Sequence, residues 1–346
     1  MTKKSKTGLF LLLTLLLSSA LGIFSFSGNG FMITPTYGYE QIRSDMVGLA
    51  ESTDGGNAES VDYYFDLFDL DPEKDIPGVE HFFGSFDSGE FNIAAHIYRP
   101  AEYKATVVLV HGYLNHTGQL THLIRFLLEN GYAVCAYDMP GHGLSSGEGA
   151  WMDDFEKYAK VLDDFKGLVA ERCQGPYHVI GFSHGSCGII QRELEGKDVF
   201  FDKVVLTSPL VHPVQWKKAQ ATYRLYWFFR KDVPRVLSRN SSDKSFLEFN
   251  REKDFLHVQR VPLIWVRGLE KWNAKIDALE PRDREILVIQ GDKDKTVDWK
   301  YNLKLLSEKF TAEQIIIANA KHEMFNESPE IKKQVFREIG SYLESN

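Results

Sequence analysis

Short runs of consecutive apolar residues alternate along the chain with longer stretches in which apolar positions recur every three or four residues. The short runs lie at 106–110, 132–137, 177–180, 203–207, 285–289 and 314–317. Continuous apolarity over about five positions suits strands buried on both faces. Upstream, the apolar segments 81–83 and 91–98 flank Asp87-Ser88-Gly89-Glu90, which reads as a hairpin turn. Helices are expected over 119–129, stopped by Asn130-Gly131, and over 153–172, where Phe155, Tyr158, Val161, Leu162, Phe165, Leu168 and Val169 keep helical spacing. Further helices are expected over 187–194, 299–309 and 329–343. Such alternation specifies an α/β chain with a mostly parallel central sheet and helices on both faces. Function in such sheets gathers at the carboxyl ends of the strands. The alternation breaks between Pro209 and Arg284, so an inserted helical cap is expected at about 210–283.

Composition narrows the class. The 346 residues are 43% hydrophobic and 25% charged, which is globular and long enough for a large core. A net charge of −8 argues against a general nucleic-acid partner. Three cysteines, Cys135, Cys173 and Cys187, are too few for a disulfide scaffold. Cys135 and Cys187 read as small core residues, and the sequence does not pair any two. At the N-terminus, Lys3, Lys4 and Lys6 precede an apolar run over 9–26 that contains Ser18-Ser19-Ala20. Residues 1–26 therefore read as a signal peptide or an uncleaved membrane anchor, which would place the rest of the chain outside the cytoplasm, periplasmic, secreted or membrane-anchored. Residues 27–78 show no repeated apolar period and read as an acidic extension that packs some aromatics. The folded domain is expected over 79–346.

Gly181-Phe182-Ser183-His184-Gly185 follows one of the short apolar runs and precedes a predicted helix. Strand, abrupt turn and helix around Gly-x-Ser-x-Gly form the setting of a nucleophile elbow. A serine hydroxyl needs a base, and the base needs an orienting acid. In this architecture the chain order is Ser, then Asp or Glu, then His. Asp294, in Gly291-Asp292-Lys293-Asp294, is the candidate acid, with Asp292 second. His322, in Ala320-Lys321-His322-Glu323, is the candidate base; each segment follows an apolar run. The backbone N–H groups of His184 and of Tyr113, in the loop after 106–110, are the candidate oxyanion donors. Gly141-His142-Gly143 lacks the third glycine and the setting of a dinucleotide fingerprint, and reads as a tight loop buttressing the oxyanion segment. No His/Cys cluster has zinc spacing.

Together these motifs resemble the α/β-hydrolase superfamily, within it the monoacylglycerol lipase, lysophospholipase and serine aminopeptidase-like branch. His111-Gly112-Tyr113-Leu114-Asn115-His116 is similar to that branch's His-Gly-x-Gly-Glu-His segment, with Leu114 for a glycine and Asn115 for a glutamate. Asp138-x-x-Gly141-His142-Gly143-x-Ser145-x-Gly147 matches its next loop, and Gly291-x-x-Asp294 and His322 match its acid and base positions. The resemblance implies the α/β-hydrolase fold and hydrolysis of an ester through an acyl-serine, with a lipid monoester as favoured substrate and no metal or organic cofactor. A peptidase or amidase, an acyltransferase, and a non-catalytic binding protein are the competing readings.

Within the cap, residues 216–239 are aromatic and basic. Lys217, Lys218, Arg224, Arg230, Lys231, Arg235 and Arg239 stand against the single acid Asp232. Tyr223, Tyr226 and Trp227 fall on one helical face. They either pack on the core or act as candidate substrate-binding residues lining an acyl groove. The same stretch suggests docking on an anionic membrane surface.

Overall fold

A computed structural model describes residues 35–52, 58–196, 199–235 and 238–345. The leader expected at 1–26 lies outside the described residues. Among the described residues, no helix is long and apolar enough to cross a membrane.

The short apolar runs form the strands of one eight-stranded sheet. In chain order these are β1 (Val79–Ser88), β2 (Phe91–Pro100), β3 (Ala105–Val110), β4 (Tyr132–Tyr137), β5 (Tyr177–Phe182), β6 (Lys203–Thr207), then, beyond the cap, β9 (Glu285–Gly291) and β10 (Thr311–Ile317). Their spatial order is β1-β2-β4-β3-β5-β6-β9-β10, with the β1–β2 hairpin antiparallel and β4 through β10 parallel. All residues of β3 and β4 are buried. Alternate side chains serve opposite cores: Val108 and Val110 join one apolar cluster, Val107 and Leu109 the other. The first cluster takes in helices Glu156–Arg172 and Ser186–Glu195 and most of the cap; the second takes in Thr121–Glu129 and Pro329–Glu344. This is the doubly covered sheet that the alternation specifies. All three cysteines are buried and free.

Helices Trp216–Tyr226, Lys244–Glu252 and Ile264–Ala278 make up the cap, together with a two-stranded antiparallel ribbon of β7 (Asp232–Pro234) and β8 (Arg260–Pro262).

Residues before Val79 are more ordered than an extension that merely packs some aromatics. Glu59–Phe68 is a helix whose Val61, Tyr64, Phe65 and Phe68 are buried in the second cluster. Positions 61, 64, 65 and 68 are one helical face, a period that Asp62 and Asp66 interrupt in the sequence. Tyr64 and Tyr98 close a buried polar network with His96, whose Nδ1 also meets His81. Phe68 lies edge-on to His116 at 4.8 Å and near Phe249 and Phe255 of the cap segment. Phe68→Ala is therefore expected to destabilise the protein by about 3–5 kcal/mol. A loosely tethered residue would shift the midpoint of urea unfolding by no more than about 0.5 kcal/mol equivalent.

Candidate active site

The parallel strands deliver their carboxyl ends to one rim. Ser183 follows β5 directly and adopts φ +51°, between Gly181 and Gly185. A Cβ at Gly185 would overlap the carbonyl oxygens of Val110 and His111, and one at Gly181 would lie 2.6 Å from Ile189 Cδ1. The elbow thus needs glycine at both positions because backbone and helix approach so closely. Ser183 Oγ lies 2.9 Å from His322 Nε2, and His322 Nδ1 lies 2.8 Å from Asp294 Oδ2. All three residues are buried. The hydrogen bonds assign the tautomer: Nδ1–H donates to Asp294, which leaves Nε2 to accept the Ser183 proton.

Asp294 is surrounded by donors. Oδ1 accepts from the Thr296 N–H at 2.7 Å and the Val297 N–H at 3.2 Å, and Oδ2 also accepts from Gln290 at 3.0 Å. Burial alone would raise its pKa, but the His322 partnership and these donors hold it below the ordinary carboxylate value. For His322 the balance runs the other way. Burial disfavours the imidazolium, but the Asp294 charge and hydrogen bond outweigh it and raise the pKa above 6.5. Ser208 fixes the loop from behind, its hydroxyl donating to the His322 carbonyl at 3.1 Å. Asp292, the second candidate acid, is elsewhere: its carboxylate accepts from Asn319 N–H and meets Lys293.

The His111–His116 loop abuts the elbow, with Gly112 packed on Phe182 and Ser183. Tyr113 N–H has no hydrogen-bond partner among the described residues. His184 belongs to the first turn of a helical run that starts at Ser183, where N–H groups lack intrahelical acceptors. His184 adjoins the serine in the chain, and Tyr113 lines the same cleft as Ser183. Leu114, where the resembling families carry glycine, takes the left-handed φ of +65°. The loop is held by its neighbours. Met139 N–H donates to His111 Nε2, Asp138 accepts from Thr117 and Leu144 N–H, and buried His116 pairs with Asp254 at 3.1 Å. The segment 138–145 thus buttresses the His111–His116 loop. Burial pushes His111 and His142 down to about 3 and His184 well below its ordinary value, so these rings are neutral packing groups.

Ser183 and His322 open into a cleft of about 620 Å³. Tyr113, Leu210, Val261, Trp265 and Val297 supply an apolar wall, and Tyr113 stacks on Trp265 at 4.6 Å. Tyr223, Tyr226 and Trp227 are not among the lining residues, which corrects their reading as an acyl groove. Their helix turns Trp216, Ala219 and Tyr223 into the core beside helix Ile264–Ala278, and Gln220 and Arg224 pair with Glu270. Helix Lys244–Glu252 lines the cleft instead.

The roles of three residues that hold the His111–His116 loop escaped the sequence reading. Glu323 is buried and accepts from Asn240 at 2.9 Å and Asn115 at 3.3 Å; burial raises its pKa despite the nearby His322. Its only sequence signal is its position next to the base. Asp254 comes from the cap and carries none, and Arg235 stands out in the sequence only as one of the basic residues of 216–239. Among the described residues, no group of His, Cys, Asp or Glu side chains has metal-site geometry.

A family model described as serine aminopeptidase, S33, matches residues 101–329. The monoglyceride lipase homolog of Monkeypox virus is 26% identical over 260 residues, covering 71% of this chain and 92% of its own length. The probable lysophospholipase L2 of Haemophilus influenzae is 24% identical over 318 residues, covering 81% and 97%. Among solved structures, a soluble variant of Saccharomyces cerevisiae monoglyceride lipase in complex with a substrate analog superposes with a TM-score of 0.65 at 17% identity, covering 75% of this chain and 94% of that one, a likeness of fold.

The electrostatics around His322 can be tested directly. Titration of its ring by NMR is expected to give a midpoint above 6.5, and Asp294→Asn, which removes the raising charge, is expected to lower it. A midpoint at or below 6.5 in the unsubstituted protein would mean that Asp294 does not stabilise the imidazolium.

Proposed function

The chain belongs to the serine aminopeptidase S33 family and is an ester-hydrolysing α/β hydrolase; from that premise we propose that Ser183, His322 and Asp294 cleave carboxylic esters of lipids through an acyl-serine intermediate. The observation that carries this reading is the unbroken hydrogen-bond chain from Asp294 through His322 to Ser183 at the floor of an open cleft.

In this mechanism Ser183 Oγ attacks the ester carbonyl carbon while its proton passes to His322 Nε2. Asp294 stays ionised, holds the ring and stabilises the imidazolium. The carbonyl oxygen becomes an oxyanion between the N–H groups of Tyr113 and His184, each worth about 10²–10³ in turnover in comparable sites. The tetrahedral adduct collapses, the C–O bond to the alcohol breaks, and His322 returns the proton to the leaving oxygen. Water then repeats the sequence on the acyl-serine, releasing the fatty acid and restoring the serine. The apolar wall beside Ser183 suits an acyl chain, and lysophospholipids and monoacylglycerols are the favoured substrates, as in the relatives named for those activities.

The cap supports a second element of the reading, docking on an anionic membrane surface. Leu225, Trp227, Phe228 and Phe229 are exposed, the last two at 74% and 83%, within the basic stretch 216–239. Exposed apolar side chains in a stretch rich in lysine and arginine combine insertion with attraction to anionic lipids.

Two measurements test these statements. Ser183→Ala is expected to abolish labelling by a fluorophosphonate, and His322→Ala to slow it by a factor on the order of 10³ or more; full labelling of the Ser183 variant would mean that another residue is the nucleophile. In sedimentation with phosphatidylglycerol vesicles at low salt, the protein is expected to pellet and Phe228→Ser/Phe229→Ser to remain in solution. Absence of binding by the unsubstituted protein would remove the docking element and leave the chemistry untouched.

A further inference from the structure

The cleft has a charge opposite to that of the protein. Arg235, Arg239, Lys244, Arg251 and Lys321 line it against two carboxylates, Glu248 and Glu323, in a chain of net charge −8. A concentration of one sign in a low-dielectric recess raises the local concentration of oppositely charged substrate. Some of these cations have partners: Lys321 donates to the Ser241 carbonyl and Arg251 pairs with Glu252.

Arg235 differs. It lines the same cleft as Ser183 and is half-buried, and desolvation pushes its pKa down against the attraction of Asp254 and Glu323. Its Nη1 donates to the carbonyl oxygens of Leu114, at 3.0 Å, and Val258, at 3.4 Å. Among the described residues no carboxylate comes within ion-pair distance, and neither Nε nor Nη2 has a protein acceptor. The two acids that attract Arg235 are engaged elsewhere, Asp254 by His116 and Gln119 and Glu323 by Asn115 and Asn240. A half-buried guanidinium with two neutral acceptors and no carboxylate in direct contact is incomplete as a structural ion pair. It is complementary to an oxyanion arriving in the cleft, and its planar fork suits phosphate.

We propose that Arg235 is the anion-recognising residue of the cleft and that it selects esters bearing a phosphate over neutral esters with the same acyl chain. The proposal rests on the ester-hydrolase reading and adds to it the polar group that the enzyme prefers. Arg235 is a specificity residue that reaches the substrate from the cap, while its Nη1 steadies the loop that presents the Tyr113 N–H. Those two roles separate experimentally. Damage to the loop slows every ester alike, whereas loss of phosphate recognition changes the ratio between two esters.

The test compares kcat/KM for 1-palmitoyl-lysophosphatidylglycerol and 1-palmitoylglycerol in the same mixed micelles, for the full protein, Arg235→Gln and Arg235→Lys. The unsubstituted enzyme is expected to favour the phosphate ester, and Arg235→Gln to lower that preference by about tenfold or more, chiefly through KM. Arg235→Lys, which keeps the charge and loses the fork, is expected to retain part of it. An unchanged ratio in Arg235→Gln, whatever the overall loss of rate, would overturn the proposal. A second arm does not depend on ester turnover. Glycerol 3-phosphate or inorganic phosphate is added during labelling of Ser183 by a neutral fluorophosphonate. Slower labelling in the unsubstituted protein but not in Arg235→Gln supports the anion site. Slowing by glycerol 3-phosphate alone assigns it to a headgroup, and equal slowing by inorganic phosphate assigns it to the bare anion. No protection by either overturns it. If neither lipid is hydrolysed while labelling persists, the ester reading fails, and this arm still decides whether Arg235 binds phosphate.

Discussion

Ser183 stands at a backbone φ of +51° where strand turns into helix, and the positions two residues before and after it have no room for a side chain. A non-glycine residue adopts that conformation at a cost of about 1–3 kcal/mol, and holds it only where the surroundings fix it. Here the fixing groups are the sheet itself. β5 is hydrogen-bonded between β3 and β6, and the next helix begins within three residues of the serine. The turn therefore cannot relax, and the hydroxyl is aimed off the carboxyl end of the sheet. The same geometry exposes the first N–H groups of the helix beside the hydroxyl. The hydroxyl and the His184 N–H are thus presented together by one constrained turn, while the Tyr113 N–H comes from the neighbouring loop.

The partners follow from the sheet order. Asp294 and His322 leave β9 and β10, two and three strands from β5, yet His322 reaches both Ser183 and Asp294 because parallel strands end at one rim. Burial then sorts the imidazoles. His111, His142 and His184 are held neutral by their apolar surroundings, whereas His322 and His116 each face a carboxylate and are raised. Of those two, only His322 also touches a hydroxyl. One imidazole among several is thereby basic, oriented and within reach of a nucleophile.

The sequence carried the sheet and the elbow because both are written locally. A doubly buried strand must be apolar throughout, and a strand-to-helix turn this tight must be flanked by glycine. Asp294 and His322 were legible for the same reason, since each follows its strand at the rim. The helix Glu59–Phe68 also left a local trace, in the spacing of Val61, Tyr64, Phe65 and Phe68, but the intervening acids disguised it. The cap was legible only as an interruption. Whether Tyr223 faces the serine or the neighbouring helix depends on how three helices and a ribbon pack, and no periodicity encodes that. Glu323, Arg235 and Asp254 meet the His111–His116 loop from separate segments, and their roles arise from contacts across 100 residues or more.

The central claim is that catalysis passes through a covalent acyl group on Ser183, and it is tested most directly by catching that group. The protein is quenched in acid during turnover of a chromogenic fatty-acyl ester, and its peptides are analysed by mass spectrometry. The account requires an acyl adduct on the peptide containing Ser183, formed in the burst of product and lost as substrate is exhausted. An acyl group on a different residue, or steady hydrolysis with Ser183 replaced by alanine, would contradict it.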